Sequence, residues 1–270
     1  MLIQRLLSIT LVASAALACP TPAAAQGADR CFAVSRGPSP VVPASVHRAA
    51  ALAQHEVRMT FVGHATWLIE SAGGVRIATD YNDYIRPLVV PEIATMNRAH
   101  TTHYSIAPDP GIKHVLRGWN PEGGPAKHDV SLADVRVRNV ATNIRDLAGG
   151  YVPYGNSIFV FEIAGMCIGH LGHLHHTLTD QQVAHIGQLD VVMVAVDGSY
   201  TMDVTGVVET LKTLRARLIL PMHYFNPSTL NRFLERIRAD FPVEMAKEPT
   251  VVVSQTTLPR EPKVLVLPGY

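Results

Sequence analysis

Short β-type runs starting at Val57 constrain the fold of this chain more than any other feature. Three of them, over 57–62, 65–70 and 75–79, are separated by tight turns and predict a β meander. Further strands are predicted over 135–140, 157–163, 166–169, 190–196, 218–221, 251–254 and 264–267, with helices over 179–186, 204–217 and 227–240 and a long loop over 105–127. Because strands and helices alternate after the meander, a layered α/β sandwich with mixed sheets fits better than a doubly wound parallel sheet.

Composition and missing motifs exclude several classes of protein. The chain has 270 residues, which favours one domain, and its 47% apolar and 17% charged residues suffice for a substantial core. A formal net charge of +1 gives no electrostatic case for binding nucleic acid. No Gly-x-Gly-x-x-Gly follows the first strand and no Gly-x-Ser-x-Gly occurs, which argues against dinucleotide binding and a serine hydrolase.

The N-terminus has the pattern of a signal peptide over residues 1–25. Arg5 provides the positive charge, and the apolar run that follows is shorter than the ~20 residues that span a bilayer. Cleavage is predicted after Ala25, which makes the protein periplasmic or secreted, with no integral membrane segment in the mature chain. Lipoprotein anchoring through Cys19 is the disfavoured alternative, because Pro20 follows the cysteine and the residue three before it is Ala rather than Leu.

The mature chain is predicted to begin with a linker and N-terminal segment over 26–56. Residues 26–45 are rich in Ala, Gly, Pro and Ser, and 46–56 have the pattern of a short helix. Cys31 and Cys167 remain after cleavage and could pair in an oxidising compartment, but the sequence does not show whether they come within reach.

Histidine is the outlier of the composition, with 13 residues that are mostly clustered. The clusters follow predicted strands and comprise His100 and His103, then His170, His173, His175 and His176, and finally His223. Imidazole is the commonest neutral metal ligand, and loops at strand ends can bring several imidazoles to one ion. For any single histidine a role as a satisfied surface or core residue is the better interpretation, but the clustering predicts a metal site.

The sequence also resembles the metallo-β-lactamase superfamily, closest to its branch of ascorbate-phosphate-lactonase-like hydrolases. The segments that carry the resemblance are 61–70 (FVGHATWLIE), 77–80 (IATD), 169–172 (GHLG) and 220–224 (LPMHY), in matching order and spacing from about Val57 to Tyr224. The resemblance implies a four-layer αββα sandwich, here a single domain over 57–270, with metal bound at one edge of the two sheets.

The metal motif departs from the pattern of that family, which is His-x-His-x-Asp-His. In this chain the stretch runs from Arg98 to His103, with Arg98 in place of the first His and Thr102 in place of the Asp. The stretch 141–146 lacks the further His that the family usually has, and His173 replaces the carboxylate that bridges two metals. Without that bridging charge the resemblance implies a mononuclear site. The predicted ligands are His103, His173 and His223, with His100 or His170 as a fourth; our ligand set is His100, His103, His173 and His223.

Other residues near these motifs receive predicted roles. His170 and Asp80 are assigned to catalysis, with Asp80 orienting a ligand histidine or, equally, serving as a strand-end turn residue. Arg98 is predicted to bind an anionic group of the substrate or to replace the charge of a missing metal. For His64 a structural hydrogen bond is as plausible as a role in the site, and for Asp197 turn formation at a strand end is the simpler explanation.

These observations predict a metal-dependent hydrolase of a small-molecule lactone, ester, amide or phosphodiester. A zinc ion, with iron and manganese as alternatives, would lower the pKa of its bound water toward ~7 and so provide hydroxide at neutral pH. The rival hypotheses are a catalytically inactive metal- or ligand-binding protein on the same fold and redox chemistry at a three-histidine iron site. The sequence does not select among the substrate classes, because the fold does not, and it indicates no oligomeric state.

Overall fold

The computed structural model describes Cys31 and residues 52–146 and 148–269. The predicted signal peptide, its cleavage site, Cys19 and the linker apart from Cys31 lie outside the described residues. Of the helix predicted over 46–56, residues 52–56 are described, and they form a turn in which Glu56 N–H donates to Ala53 O over 2.8 Å.

The described residues form fourteen strands and three helices. The strands are β1 (Val57–Gly63), β2 (Thr66–Ser71), β3 (Arg76–Ala78), β4 (Ile93–Met96), β5 (His114–Arg117), β6 (Asp129–Leu132), β7 (Val135–Arg145), β8 (Tyr151–Ile163), β9 (Met166–His170), β10 (Val191–Ala195), β11 (Leu218–Met222), β12 (Val243–Met245), β13 (Thr250–Val253) and β14 (Lys263–Val266). The helices are α1 (Asp180–Ile186), α2 (Val204–Leu214) and α3 (Pro227–Ile237).

The strands form two mixed sheets. The first has six strands in the order β13-β1-β2-β3-β4-β5, and the second has eight in the order β12-β14-β11-β10-β9-β8-β7-β6. Strands β3, β4 and β5 are mutually parallel, as are β9, β10, β11, β14 and β12, whereas the remaining pairs are antiparallel.

Alternation along β10 shows where the core lies. Val191 and Met193 pack between the two sheets with Trp67 of β2, whereas Val192 and Val194 belong to a second core that the helices cover. A strand that is apolar on both faces must be central in such a sandwich, because its side chains alternate between the faces. The α/β sandwich expected from the sequence is confirmed. All three described helices contribute to the second core, and loop residues such as Tyr81 and Ile112 pack on the other side of the first sheet.

The prediction of an unbroken loop over 105–127 was wrong. It contains β5, an edge strand of four residues, of which Leu116 alone is buried. Such a strand has too little periodicity to be recognised and depends on pairing with β4. Strands β4, β6 and β12 were also missed. The helix predicted to reach 217 ends at Leu214, because Arg215 adopts a left-handed conformation with φ of 51°. Among the described residues, no helix has the length and apolar character needed to cross a membrane.

Candidate metal centre

Five parallel strands direct the predicted site residues to one edge of the sandwich. In the first sheet Asp80 follows β3, and His100 and His103 follow β4. In the second sheet the loops after β9, β10 and β11 carry His173, Asp197 and His223 respectively. The carboxyl ends of parallel strands meet at a common sheet edge, and binding sites form in the loops there.

The four histidines predicted as ligands converge at this edge. Each of His100, His103, His173 and His223 offers one ring nitrogen, and these four nitrogens all lie within 4.8 Å of one another. The Nε2 atoms of His103 and His223 are 3.1 Å apart, and those of His100 and His173 are 2.7 Å apart. His100 is half-buried and the other three are buried, so His100 lies on the solvent side of the cluster.

Two buried carboxylates fix the tautomers of two of these histidines. His103 Nδ1 lies 2.5 Å from Asp80 Oδ2, and His223 Nδ1 lies 3.0 Å from Asp197 Oδ1. A carboxylate accepts a hydrogen bond, so each Nδ1 carries the proton and each Nε2 carries a lone pair. The two lone pairs face each other at 3.1 Å. A cation between them would relieve that repulsion, and so this donor set fits a divalent metal ion.

The two carboxylates have different environments. Burial raises the pKa of Asp80 to about 6, and the nearby His170 and the hydrogen bond from Asn97 oppose this only in part. Burial also opposes ionisation of Asp197, but the hydrogen bonds from His223 and Thr201 outweigh it and the pKa of that carboxyl is lowered. Asp197 is therefore a firmly ionised acceptor beside His223, with further hydrogen bonds from backbone N–H groups of the loop that follows it.

A histidine and an arginine, in place of a carboxylate, orient His173. Its Nδ1 lies 2.5 Å from His175 Nε2, and His175 Nδ1 accepts from both the backbone N–H and the Nε–H of Arg145, each at 3.1 Å. Because His175 Nδ1 is an acceptor, the proton of this ring is on Nε2, which donates to His173 Nδ1. The proton of His173 is therefore on its Nε2, 2.7 Å from His100 Nε2, and a metal ion bound there would displace that proton. Arg145 Nη2 also donates to the carbonyl oxygens of Ser199 and Thr201, at 3.1 and 2.6 Å. The Arg145 side chain thus ties β7 to the loops after β9 and β10. Sequence reasoning noticed His175 within a cluster but gave it no role, and nothing in the sequence pointed to Arg145.

Neighbouring charges and burial keep these rings neutral. Burial lowers the pKa of His103 and of His173 well below the ordinary value of 6.5, with smaller contributions from the neighbouring histidines. Burial followed by the charge of Arg145 lowers the pKa of His175 to about 4. Neutral imidazole is the form that binds a metal ion.

His170 lies beside the cluster but uses both ring nitrogens on the backbone. Its Nε2 donates to Ala65 O over 2.9 Å, and its Nδ1 accepts from Gly172 N–H over 3.2 Å. The ring is fully buried and braces the turn that leads to His173. Its assignment to catalysis stays a prediction, whereas these contacts fit a role in holding the loop.

Arg98 is exposed, and its backbone N–H donates to Gly155 O on β8. Its side chain is not among those that line the cavity over the cluster. The role of Arg98 in binding substrate therefore stays a prediction with no contact to support it.

That cavity has a volume of about 400 Å³ and is lined by His64, His100, Thr102, Tyr200 and Phe225. His64 occupies the β1–β2 turn, where its backbone O accepts from His223 N–H at 2.7 Å and its Nε2 contacts Thr102 Oγ1 at 3.1 Å. Burial, followed by the nearby His223 and His100, lowers the pKa of His64 to about 3, so this ring is neutral as well.

Backbone strain is concentrated at this edge. His64, Asp80 and His223 all have positive φ values, of 51°, 41° and 57°. A left-handed conformation costs a non-glycine residue about 1–3 kcal/mol, and it persists only where the surrounding contacts impose it. The position of each side chain in the site is therefore imposed by the tertiary structure.

Comparison with known proteins agrees with this geometry. The family model described as the beta-lactamase superfamily domain matches residues 58–223, well over half of the chain. The chain belongs to the metallo-β-lactamase superfamily, as its sequence indicated. The matched region begins in β1 and ends at His223, and so it contains all four clustered histidines.

Individual relatives are more distant. The chain is 31% identical over 106 residues to a UPF0173 metal-dependent hydrolase of Thermoplasma volcanium, covering 39% of this chain and 44% of the relative. A UPF0173 metal-dependent hydrolase of Thermoplasma acidophilum is 29% identical over 112 residues, covering 41% of this chain and 49% of the relative. The chain thus spans less than half the length of these curated relatives.

Among solved structures, a candidate Zn-dependent hydrolase of the metallo-β-lactamase superfamily from Thermotoga maritima superposes with a TM-score of 0.57 and 27% identity, over 79% of this chain and all of that one. A metallo hydrolase from Ignicoccus hospitalis has a TM-score of 0.53 and 19% identity, over 74% of this chain and 99% of the other. At that identity the second comparison supports the fold alone.

Proposed function

We propose that this chain is an exported metal-dependent hydrolase with a single metal ion held by His103, His173 and His223, and with His100 as a fourth ligand. The candidate substrates are lactones, esters, amides and phosphodiesters. The relatives described above are named as metal-dependent hydrolases, which supports this class of activity.

One observation carries the proposal. Two buried carboxylates turn the lone pairs of His103 and His223 toward each other, in a group of four ring nitrogens that one ion can reach. A satisfied core histidine has both ring nitrogens bonded to protein groups, as His170 does. The inward lone pairs have no protein donor other than another imidazole, which is the arrangement of a metal ligand.

The same geometry favours one ion over two. Two catalytic ions about 3.5–4 Å apart need anionic ligands to offset their mutual repulsion. The group of described residues that could hold a metal contains histidines alone. Asp80 and Asp197, the carboxylates beside it, are engaged by His103 and His223.

A divalent ion, zinc or alternatively iron or manganese, would supply a Lewis acid that polarises the scissile carbonyl or phosphoryl group and activates water. Hydrolysis of an ester joins the hydroxyl of water to the acyl carbon, breaks the acyl–oxygen bond and leaves the other proton on the departing alcohol. In this chain Asp80 and Asp197 hold two ligand rings in place. His100, half-buried and lining the cavity, lies where a substrate would meet the cluster.

Export is part of the proposal, and the disulfide between Cys31 and Cys167 supports it. Disulfides form and persist in oxidising compartments such as the periplasm, and they are rare in the cytosol. The bond links the segment just after the predicted cleavage site to β9, the strand that leads to His170 and His173. We therefore place the mature protein in the periplasm or the extracellular medium.

The test is the metal content of the purified mature protein beside a His103→Ala/His173→Ala double variant. A matched double variant, His128→Ala/His185→Ala, removes two histidines that lie outside the cluster. We expect about one equivalent of metal in the wild type and the control, and a loss in the His103/His173 variant. Two equivalents would contradict the single-ion site, and no metal after reconstitution would contradict the hydrolase.

A metal- or ligand-binding protein without catalysis is the second candidate. Among the described residues, the group that could hold a metal contains no carboxylate, so it supplies no free general base for catalysis. This observation favours the second candidate. One equivalent of metal with no turnover across ester, lactone, amide and phosphodiester substrates would select this candidate.

A further inference from the structure

The cavity over the cluster has a lining that limits what it can bind. Its volume is about 400 Å³, which suits a small organic molecule. His100 belongs both to the lining and to the group of four histidines, so a molecule in the cavity lies next to the metal centre.

The lining contains no acidic side chain, lysine or arginine among the described residues. Its polar groups belong to Thr102, the two histidines and the hydroxyl of Tyr200, and the rings of Tyr200 and Phe225 form an aromatic wall. A charged substrate group placed against this wall, away from the metal ion, would lose hydration without gaining a partner of opposite charge from the lining, which is unfavourable.

The aromatic wall is exposed and yet held in place. Tyr200 and Phe225 are 62% and 50% exposed, and their rings meet edge to face with centroids 5.5 Å apart. Phe225 also lies 5.4 Å from the ring of His223 and 5.8 Å from that of His64. The Tyr200 backbone N–H donates to Asp197 Oδ2 at 2.6 Å. Burial of large exposed aromatic rings by a ligand is favourable, so such rings beside a site indicate a binding surface.

We propose that this cavity selects a substrate that carries an uncharged aromatic group, which packs against Tyr200 and Phe225 while the scissile group lies near His100. This inference rests on the proposed function and narrows it: substrates that place an uncharged aryl ring against the wall, such as aryl esters, aryl lactones and aryl amides, are preferred over substrates that place an aliphatic or a charged group there. Tyr200 and Phe225 are the specificity-determining residues.

Binding is tested first, because it does not depend on turnover. Saturation-transfer NMR on the metal-loaded protein compares benzamide with acetamide, which lacks the ring. We expect the wild type to bind benzamide at least about 10-fold more tightly than acetamide. We expect the Tyr200→Ala/Phe225→Ala variant to bind benzamide about 10-fold more weakly than the wild type, because it lacks the aromatic contacts. Tyr84→Ala removes an exposed tyrosine outside the cavity and should leave binding unchanged. Equal binding of the two amides, or no change in the double variant, overturns the proposal.

Kinetic measurements then test the proposed substrate selectivity separately from the proposed hydrolase activity. Phenyl acetate and 4-acetoxybenzoate have the same reacting ester, but the second carries a carboxylate on its ring. We expect kcat/KM to be about 10-fold higher for phenyl acetate, with this preference reduced in the Tyr200/Phe225 variant and its metal content unchanged. Equal rates, or a preference for the anion, overturn the inference while the hydrolase stands. If neither ester is hydrolysed, the proposed catalysis fails and the benzamide result alone decides the inference.

Discussion

The Asp80→Asn substitution tests whether a buried carboxylate prepares His103 to bind metal. Asp80 Oδ2 accepts from His103 at 2.5 Å, and Asp80 Oδ1 accepts from Asn97 Nδ2 at 2.9 Å. Asparagine has one carbonyl oxygen and one NH2 group, so it can accept only one of these two hydrogen bonds. Asn97 cannot turn its amide round without cost, because its Oδ1 accepts from Ser157 N–H at 2.7 Å.

Either orientation of the new amide has a penalty. If its NH2 group faces His103, the ring must move its proton to Nε2 and lose the lone pair that would bind metal. If its NH2 group faces Asn97, two hydrogen-bond donors face each other in a buried position, which costs about 1–3 kcal/mol of stability. Removing the partner that orients a ligand typically weakens metal affinity 10- to 100-fold, or about 1.4–2.7 kcal/mol.

Competition with a chromophoric chelator measures the zinc affinity of wild type and variant, and urea unfolding of the metal-free proteins measures stability separately. We expect 10- to 100-fold weaker binding in Asp80→Asn. The control is Asp134→Asn, because that carboxylate also accepts two hydrogen bonds, from Ser71 Oγ at 2.7 Å and Gly73 N–H at 2.8 Å, in a hairpin away from the cluster. A folded Asp80→Asn protein with wild-type zinc affinity would refute the assignment of His103 as a carboxylate-oriented ligand.

Three further predictions address other contacts. Arg145→Gln should lower the free energy of unfolding by about 1–2 kcal/mol, because the carbonyl oxygens of Ser199 and Thr201 lose a charged donor, whereas Arg260→Gln should leave it unchanged; coincident urea unfolding curves for the two variants would contradict a structural role of Arg145. The metal-free protein should lose stability to urea as the pH falls from 6.5 toward 4. Several histidines, such as His64 with a folded pKa of about 3, have pKa values below 6.5 in the folded protein, so the unfolded chain binds protons more readily as the pH falls. Asp80, whose pKa is raised to about 6, has the opposite effect on stability, but it is one group against several. Stability that rises over this pH range would contradict the burial of neutral rings. Reduction of the disulfide that joins Cys31 to Cys167 should cost about 2–4 kcal/mol of unfolding free energy; unfolding curves that coincide with and without reductant would contradict a stabilising bond.

The sequence predicted much of the fold because strong local patterns coincide with buried structure. Strand β10 is apolar on both faces and so was recognised as buried. Edge strands such as β5 and β6 were missed, because half-exposed residues leave no clear period and the strands depend on a neighbour for their hydrogen bonds.

The sequence by itself determined which histidines could meet, since each candidate ligand follows a strand and parallel strands share an edge. The tertiary structure decided how they are held. His103 and His223 are 120 positions apart, and Arg145 and His175 are 30 apart, and no local pattern encodes such pairs. Asp197, which the sequence left as a turn residue, orients His223 only because β10 and β11 lie side by side. Tyr200 meets Phe225 for the same reason, and the disulfide joins Cys31 to Cys167 over a separation of 136 positions. Side-chain chemistry can be read along the chain, but distances between loops exist only after the two sheets have packed.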